Sequence, residues 1–134
     1  MDTEGNIKTI VAVYEAFGRG DVAAILEAVT DDVDWATETV STGAPWYGVR
    51  HGKQGVTAFF TAFGTAMEVE EFTPVSIAAN ETDVLTVIRF RARSRQTGKT
   101  GAMYLHHRFT FRDGRIAYYR GSEDTAQTEA VLRA

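Results

Sequence analysis

Residues 105–125 read LHHRFTFRDGRIAYYRGSEDT, two runs of alternating apolar and polar residues joined at Arg112-Asp113-Gly114. Alternation with a period of two around an Asp-Gly pair specifies a β-hairpin, and a hairpin fixes which side chains share a face. Two registers are open. A two-residue Asp-Gly loop sets Arg120 beside His107. A three-residue turn with Gly114 left-handed sets Tyr119 there and gives the inner row Ala117, Tyr119, Gly121 and Glu123. The second is preferred, because it keeps the charge of Arg120 out of an apolar face. Asp124 opens DTAQTEAVLR with Gln127 three residues on, a capping box that assigns it to the start of a C-terminal helix. Glu123 is then the hairpin's available carboxylate.

The earlier part of the chain is helical. Ile7, Ile10, Val11, Tyr14 and Phe17 recur at helical spacing and form one apolar stripe, which Gly18 and Gly20 end. Asp21 caps a short second helix over residues 22–29 that buries Ile25, Leu26 and Val29. Val33, Trp35 and Thr37 alternate as a strand. STGAPWYGVRHGKQG is a long loop carrying Trp46 and His51. A third helix follows, with Val56, Phe59, Phe60 and Phe63 on its apolar side, and extended structure begins near Glu68. Helices followed by strands favour an α+β fold, with helices on one face of an antiparallel sheet. With a turn at Gly98-Lys99, strands 84–95 and 100–112 pair Phe90 with His107, Ile88 with Phe109 and Ala92 with Leu105. The opposite face carries Arg89, Arg91, Arg93, Tyr104, His106 and Arg108, and is solvated or subunit-facing; Glu68, Glu70 and Glu71 are expected to pair with its arginines.

A length of 134 residues with 44% hydrophobic content fits a single domain over residues 1–134. The net charge of −4 gives no basic field for nucleic acid or anionic lipid. There is no cysteine, which excludes thiolate nucleophiles and thiolate metal sites, and His51, His106 and His107 lack a metal-binding spacing. No apolar run is long enough to cross a membrane. The expectation is a cytoplasmic protein without metal or cofactor.

Together, YEAFGRGD, DDVDW, PWYGVRHGKQGVTAFF and FTFRDGRIAYYRGSEDT resemble the SnoaL-like polyketide cyclases, within the nuclear transport factor 2-like and ketosteroid isomerase-like superfamily. The resemblance spans nearly the whole chain. It implies a cone-shaped α+β barrel, in which a curved antiparallel sheet wraps around the N-terminal helices and leaves an apolar cavity. It also implies a homodimer and cofactor-free chemistry. Acid-base cyclases of this kind place a carboxylate where this chain has Gly121, and the isomerase base would fall near Thr37, beside Glu38.

Three residues are therefore candidates for catalysis: His107 or Glu123 as base, with Tyr119 as donor to a developing enolate. Trp35, Thr37, Trp46 and Phe90 are candidate pocket residues, together with Tyr14, Phe60, Leu105 and Gly121. His51 is expected in solvent and His106 on the outer face. The expected function is a cofactor-independent cyclase, isomerase or dehydratase acting on a polyketide-like or other cyclic substrate. The alternatives are a non-catalytic ligand-binding or interaction domain and, from another class, an epoxide hydrolase-like enzyme, which needs an Asp-Arg-Asp relay.

Overall fold

In the computed structural model, which describes residues 2–134, Asp2 starts the first helix by accepting the backbone N–H of Gly5. Helix α1, Thr3–Gly18, buries Asn6, Ile10, Val13 and Ala16. The apolar stripe is thus rotated from the expected one: Val11 is 40% exposed, and Val13 takes its place in the core. Asp21 caps α2, Val22–Glu27, as its side chain predicts. That helix is shorter than expected, because Val29 already belongs to strand β1, Val29–Thr37. Val33, Trp35 and Thr37 are buried along β1.

The long loop ends earlier than its composition suggests. Strand β2 is Arg50–His51, and helix α3, Gly52–Ala66, begins with GKQG. Trp46 and Tyr47 from the loop are buried, whereas His51 stays in solvent. Strand β3, Met67–Ala79, is an edge strand interrupted by two register shifts and carrying Pro74. An edge tolerates the missing N–H of a proline. Strands β4, Asp83–Ser94, β5, Thr100–Arg112, and β6, Arg115–Ser122, complete an open six-stranded sheet in the order β2-β1-β6-β5-β4-β3. The sheet is antiparallel except for the parallel pair β1 and β6. Helix α4, Thr125–Leu132, starts at Asp124, which accepts the N–H of Gln127. The Gln127 side chain in turn accepts from Ala102 N, and Gly101 leaves room for Gln127 and Val131 to lie against β5.

Two registers differ from the sequence expectation. In β4 and β5, Phe90 pairs with Met103, Ile88 with Leu105, Ala92 with Gly101 and Thr86 with His107. Residues 95–98 form the loop, closed by Ser94 and Lys99, so the pairing moves by an even number of residues and the inner face is kept. In the last hairpin the turn is the two-residue Asp113-Gly114 loop, both residues having positive φ, with Arg112 opposite Arg115. A bulge near Ala117 then shifts the pairing by one. His107 consequently faces Gly121, not Tyr119 or Arg120, and Tyr119 faces Phe109. Arg120 stays off the inner face: it pairs with Asp34 at 2.7 Å and lies over the Tyr118 ring.

On the outer face, Arg89, Arg91 and Arg93 pair with Glu71, Glu70 and Glu68 across β3 and β4. His106 is exposed there.

Candidate functional site

The inner face of the sheet and helices α1, α3 and α4 enclose an apolar cavity of about 90 Å³. Every candidate named from the sequence borders it: Tyr14, Trp35, Thr37, Trp46, Phe60, Phe90, Leu105, His107, Tyr119, Gly121 and Glu123. Period-two alternation puts Leu105, His107 and Phe109 of β5 on one side of the pleat, and helical spacing aims Tyr14 and Phe17 of α1 at them. The sequence reading missed Phe72 of β3, whose ring stands 5.1 Å from Tyr14, and the α1 residues Val13 and Phe17, which also border the cavity.

His107 is held at one end by Tyr14. The Tyr14 hydroxyl lies 2.7 Å from His107 Nδ1 and 2.6 Å from Thr86 Oγ1. Phe72, Phe109 and Tyr119 surround the imidazole ring. Burial, seconded by the neighbouring charge of His106, pushes the His107 pKa down to about 3. Part of its area remains accessible, and it borders both the cavity and a groove on the outer face. Burial thus favours the neutral ring, in which one nitrogen carries a proton and the other accepts.

Glu123 lies just beyond β6, where the chain turns into α4. One of its oxygens, Oε2, accepts the Tyr47 hydroxyl at 2.8 Å and the Thr128 hydroxyl at 2.7 Å. The two donors fix one oxygen of the carboxylate and leave Oε1 for another partner. Tyr47 is a neutral phenol well above ordinary pH, through burial first and the Glu123 charge second. Its contribution was not legible in the sequence, since the loop that delivers it has no periodicity.

Tyr119 stacks on Trp35 with ring centroids 4.2 Å apart, and its hydroxyl leans over Gly121. A Cβ at position 121 would collide with that hydroxyl and stand 3.3 Å from His107 Cδ2. The phenol thus fills the space that a side chain at 121 would need. Burial, together with the charges of Tyr14 and Glu123, raises the pKa of Tyr119 well above its ordinary value, so it is a proton-bearing donor. Trp35 is 2% exposed, borders the cavity, and its Nε1–H has no hydrogen-bond partner among the described residues.

The arrangement therefore combines one carboxylate and several neutral donors in an apolar enclosure. No Asp or Arg borders the cavity among the described residues, so the carboxylate-arginine relay of an epoxide hydrolase-like site is not assembled there.

With the SnoaL-like domain, the chain matches the family model over residues 10–119, and it belongs to that family. The likeness extends to solved structures. A nuclear transport factor 2-like protein of unknown function from Burkholderia pseudomallei superposes with a TM-score of 0.90 at 24% identity, covering 97% of this chain and 98% of that one. A Xanthomonas campestris protein, named provisionally as a polyketide cyclase, gives a TM-score of 0.81 at 19% identity over 99% and 100%. An epoxide hydrolase from M. tuberculosis gives 0.74 at 19% identity over 98% and 92%. These identities establish a shared nuclear transport factor 2-like fold and leave chemistry to the site itself. None of the curated proteins compared with the chain matches it.

Proposed function

We propose that the protein is a cofactor-independent isomerase or cyclase that moves a proton on a compact cyclic carbonyl compound, with Glu123 as the base. The observation carrying this reading is the Glu123 carboxylate at the cavity wall, oriented by the Tyr47 and Thr128 hydroxyls. Glu123 takes a proton from a carbon beside the carbonyl, and the C–H electron pair moves through the new C=C bond onto oxygen. Tyr119 donates a hydrogen bond to the enolate oxygen. The protonated Glu123 then returns its proton to a different carbon, giving an isomer; or the enolate carbon attacks a second carbonyl carbon and closes a ring, the C=O π electrons pass to that oxygen, and Glu123 returns its proton there. No redox partner is required at any step. A positioned acid-base pair of this kind contributes roughly 10²–10⁴-fold in rate.

The fold neighbours named for cyclisation and epoxide hydrolysis share only the architecture, so they support the family and not the substrate. A second reading, a non-catalytic ligand-binding domain, is favoured by Gly121, which borders the cavity where the family resemblance implies a carboxylate. The cavity volume of about 90 Å³ restricts either reading to a compact molecule. Small cyclic ketones in D₂O distinguish the two readings. Catalysed exchange of the protons beside the carbonyl supports the enzyme, whereas thermal stabilisation by the same ketones without exchange supports the binder. In either case the outer face of the sheet is proposed as a homodimer interface, because it leaves Leu85 and Tyr104 half in solvent.

A further inference from the structure

A chain of three polar groups runs from Thr86 through Tyr14 to His107, with oxygen-oxygen and oxygen-nitrogen separations of 2.6 and 2.7 Å. Thr86 is 3% exposed, and its hydroxyl makes no other side-chain hydrogen bond among the described residues. The protons of this chain admit two directions. In one, His107 donates Nδ1–H to Tyr14 and Tyr14 donates to Thr86, which strands the Thr86 hydroxyl proton in a buried place. In the other, Thr86 donates to Tyr14 and Tyr14 donates to His107 Nδ1, and the proton left over is Nε2–H, on a partly accessible ring that borders the cavity and can meet solvent or a ligand. A stranded buried hydroxyl is unfavourable enough to bias such an equilibrium roughly tenfold or more.

The geometry points to His107 as a fixed Nε2–H donor into the cavity, poised by Tyr14 for a ligand that presents a carbonyl or enolate oxygen on a compact apolar ring. The Nε2 edge of the imidazole is the edge toward Gly121: the adjoining Cδ2 stands 3.3 Å from where a Cβ of that residue would be. Burial keeps the ring neutral, so the donor is an imidazole and not an imidazolium. A second donor faces the same need, since the buried Trp35 Nε1–H has no partner among the described residues. With the Tyr119 phenol these groups offer protons, and among the described residues lining the cavity Glu123 alone offers a carboxylate acceptor. Such a balance selects a ligand rich in acceptor oxygen near the imidazole and bearing a C–H toward Glu123.

Tyr14 acts here as the positioning residue and Thr86 as the hydrogen-bond partner of its hydroxyl; neither donates to the ligand. The catalytic use of the Nε2–H rests on the assignment of Glu123 as base; the tautomer itself does not. The test is heteronuclear NMR of ¹⁵N-histidine-labelled protein near neutral pH, with the His107 signals assigned by their loss in His107→Gln. A proton on Nε2 and a bare Nδ1 are expected in the wild type. A proton on Nδ1 overturns the assignment while leaving the role of Glu123 intact. Tyr14→Phe is expected to give a mixture of tautomers, and Thr86→Val to keep the Nε2–H form, since Tyr14 still has its own proton to donate. An unchanged tautomer in Tyr14→Phe contradicts the positioning role. Phenol, a compact ring with one acceptor oxygen, is expected to bind and to shift the Nε2–H resonance. Failure to bind, or binding without that shift, contradicts the ligand class.

Discussion

The Tyr119 hydroxyl occupies the space above Gly121, so the two residues form a single feature: a glycine that exists for the phenol two positions before it. The ring cannot swing away freely, because Trp35 stacks on one side of it and Phe109 lies 5.0 Å from it. A side chain at 121 is overpacking of a kind that costs about 1–3 kcal/mol. Gly121→Ala is therefore expected to lower the unfolding free energy read from urea titration by that amount, and the cost to shrink in a Tyr119→Leu background. Equal costs in the two backgrounds, read as a double-mutant cycle, would show that the two positions are independent.

The depressed pKa of His107 sets a pH dependence. Below its ordinary value of 6.5 the unfolded chain binds a proton at this site, while the folded chain does not until about pH 3. The unfolded state thus holds more protons across that window, so stability falls on acidification through it and is fully present above it. The groups facing the ring are Tyr14 from α1, Thr86 from β4, Phe72 from β3, its neighbour His106, and Tyr119 and Gly121 from β6; none of them supplies a carboxylate to hold the charge. His107→Gln is expected to reduce the slope of unfolding free energy between pH 6.5 and 4 by up to about 1.4 kcal/mol per pH unit. Identical slopes for the two proteins in urea titrations would place the ring in contact with bulk water.

The dimer reading also has a direct consequence. Leu85 is 47% and Tyr104 54% exposed on a face otherwise crossed by paired charges. A stable interface of standard size buries ~800 Å² on each partner, and a charge at its centre is left unpaired. Leu85→Glu is expected to convert the dimer to monomer in sedimentation velocity without loss of secondary structure. A wild-type protein that sediments as a monomer removes the interface.

Much of the scaffold was legible because it follows from periodicity. Helical and strand spacing placed Ile10, Tyr14, Phe59, Trp35 and His107 on inward faces, and the caps at Asp21 and Asp124 marked helix starts. The errors arose where a loop or bulge changes register without a local composition to announce it. Reading Gly98-Lys99 as the turn displaced β4 against β5, which hid Thr86 opposite His107. The Asp113-Gly114 turn was one of the two registers open, but the bulge at Ala117 moved Gly121 into the place where Arg120 would have stood. Tyr47 and Thr128 escaped notice for a different reason. They reach Glu123 from a loop and from the last helix, and only the folded chain brings those segments together.

In the proposed mechanism the Glu123 carboxylate removes a proton from a ligand in the cavity, a step read by the rate of hydrogen-deuterium exchange at the carbon beside a cyclic ketone. Glu123→Gln keeps the shape and an oxygen for the Tyr47 and Thr128 hydroxyls, so unfolding free energy is expected to change by only about 1 kcal/mol. The exchange rate is expected to fall by about 10²–10⁴-fold. A variant that exchanges the ketone as fast as the wild type would contradict the account.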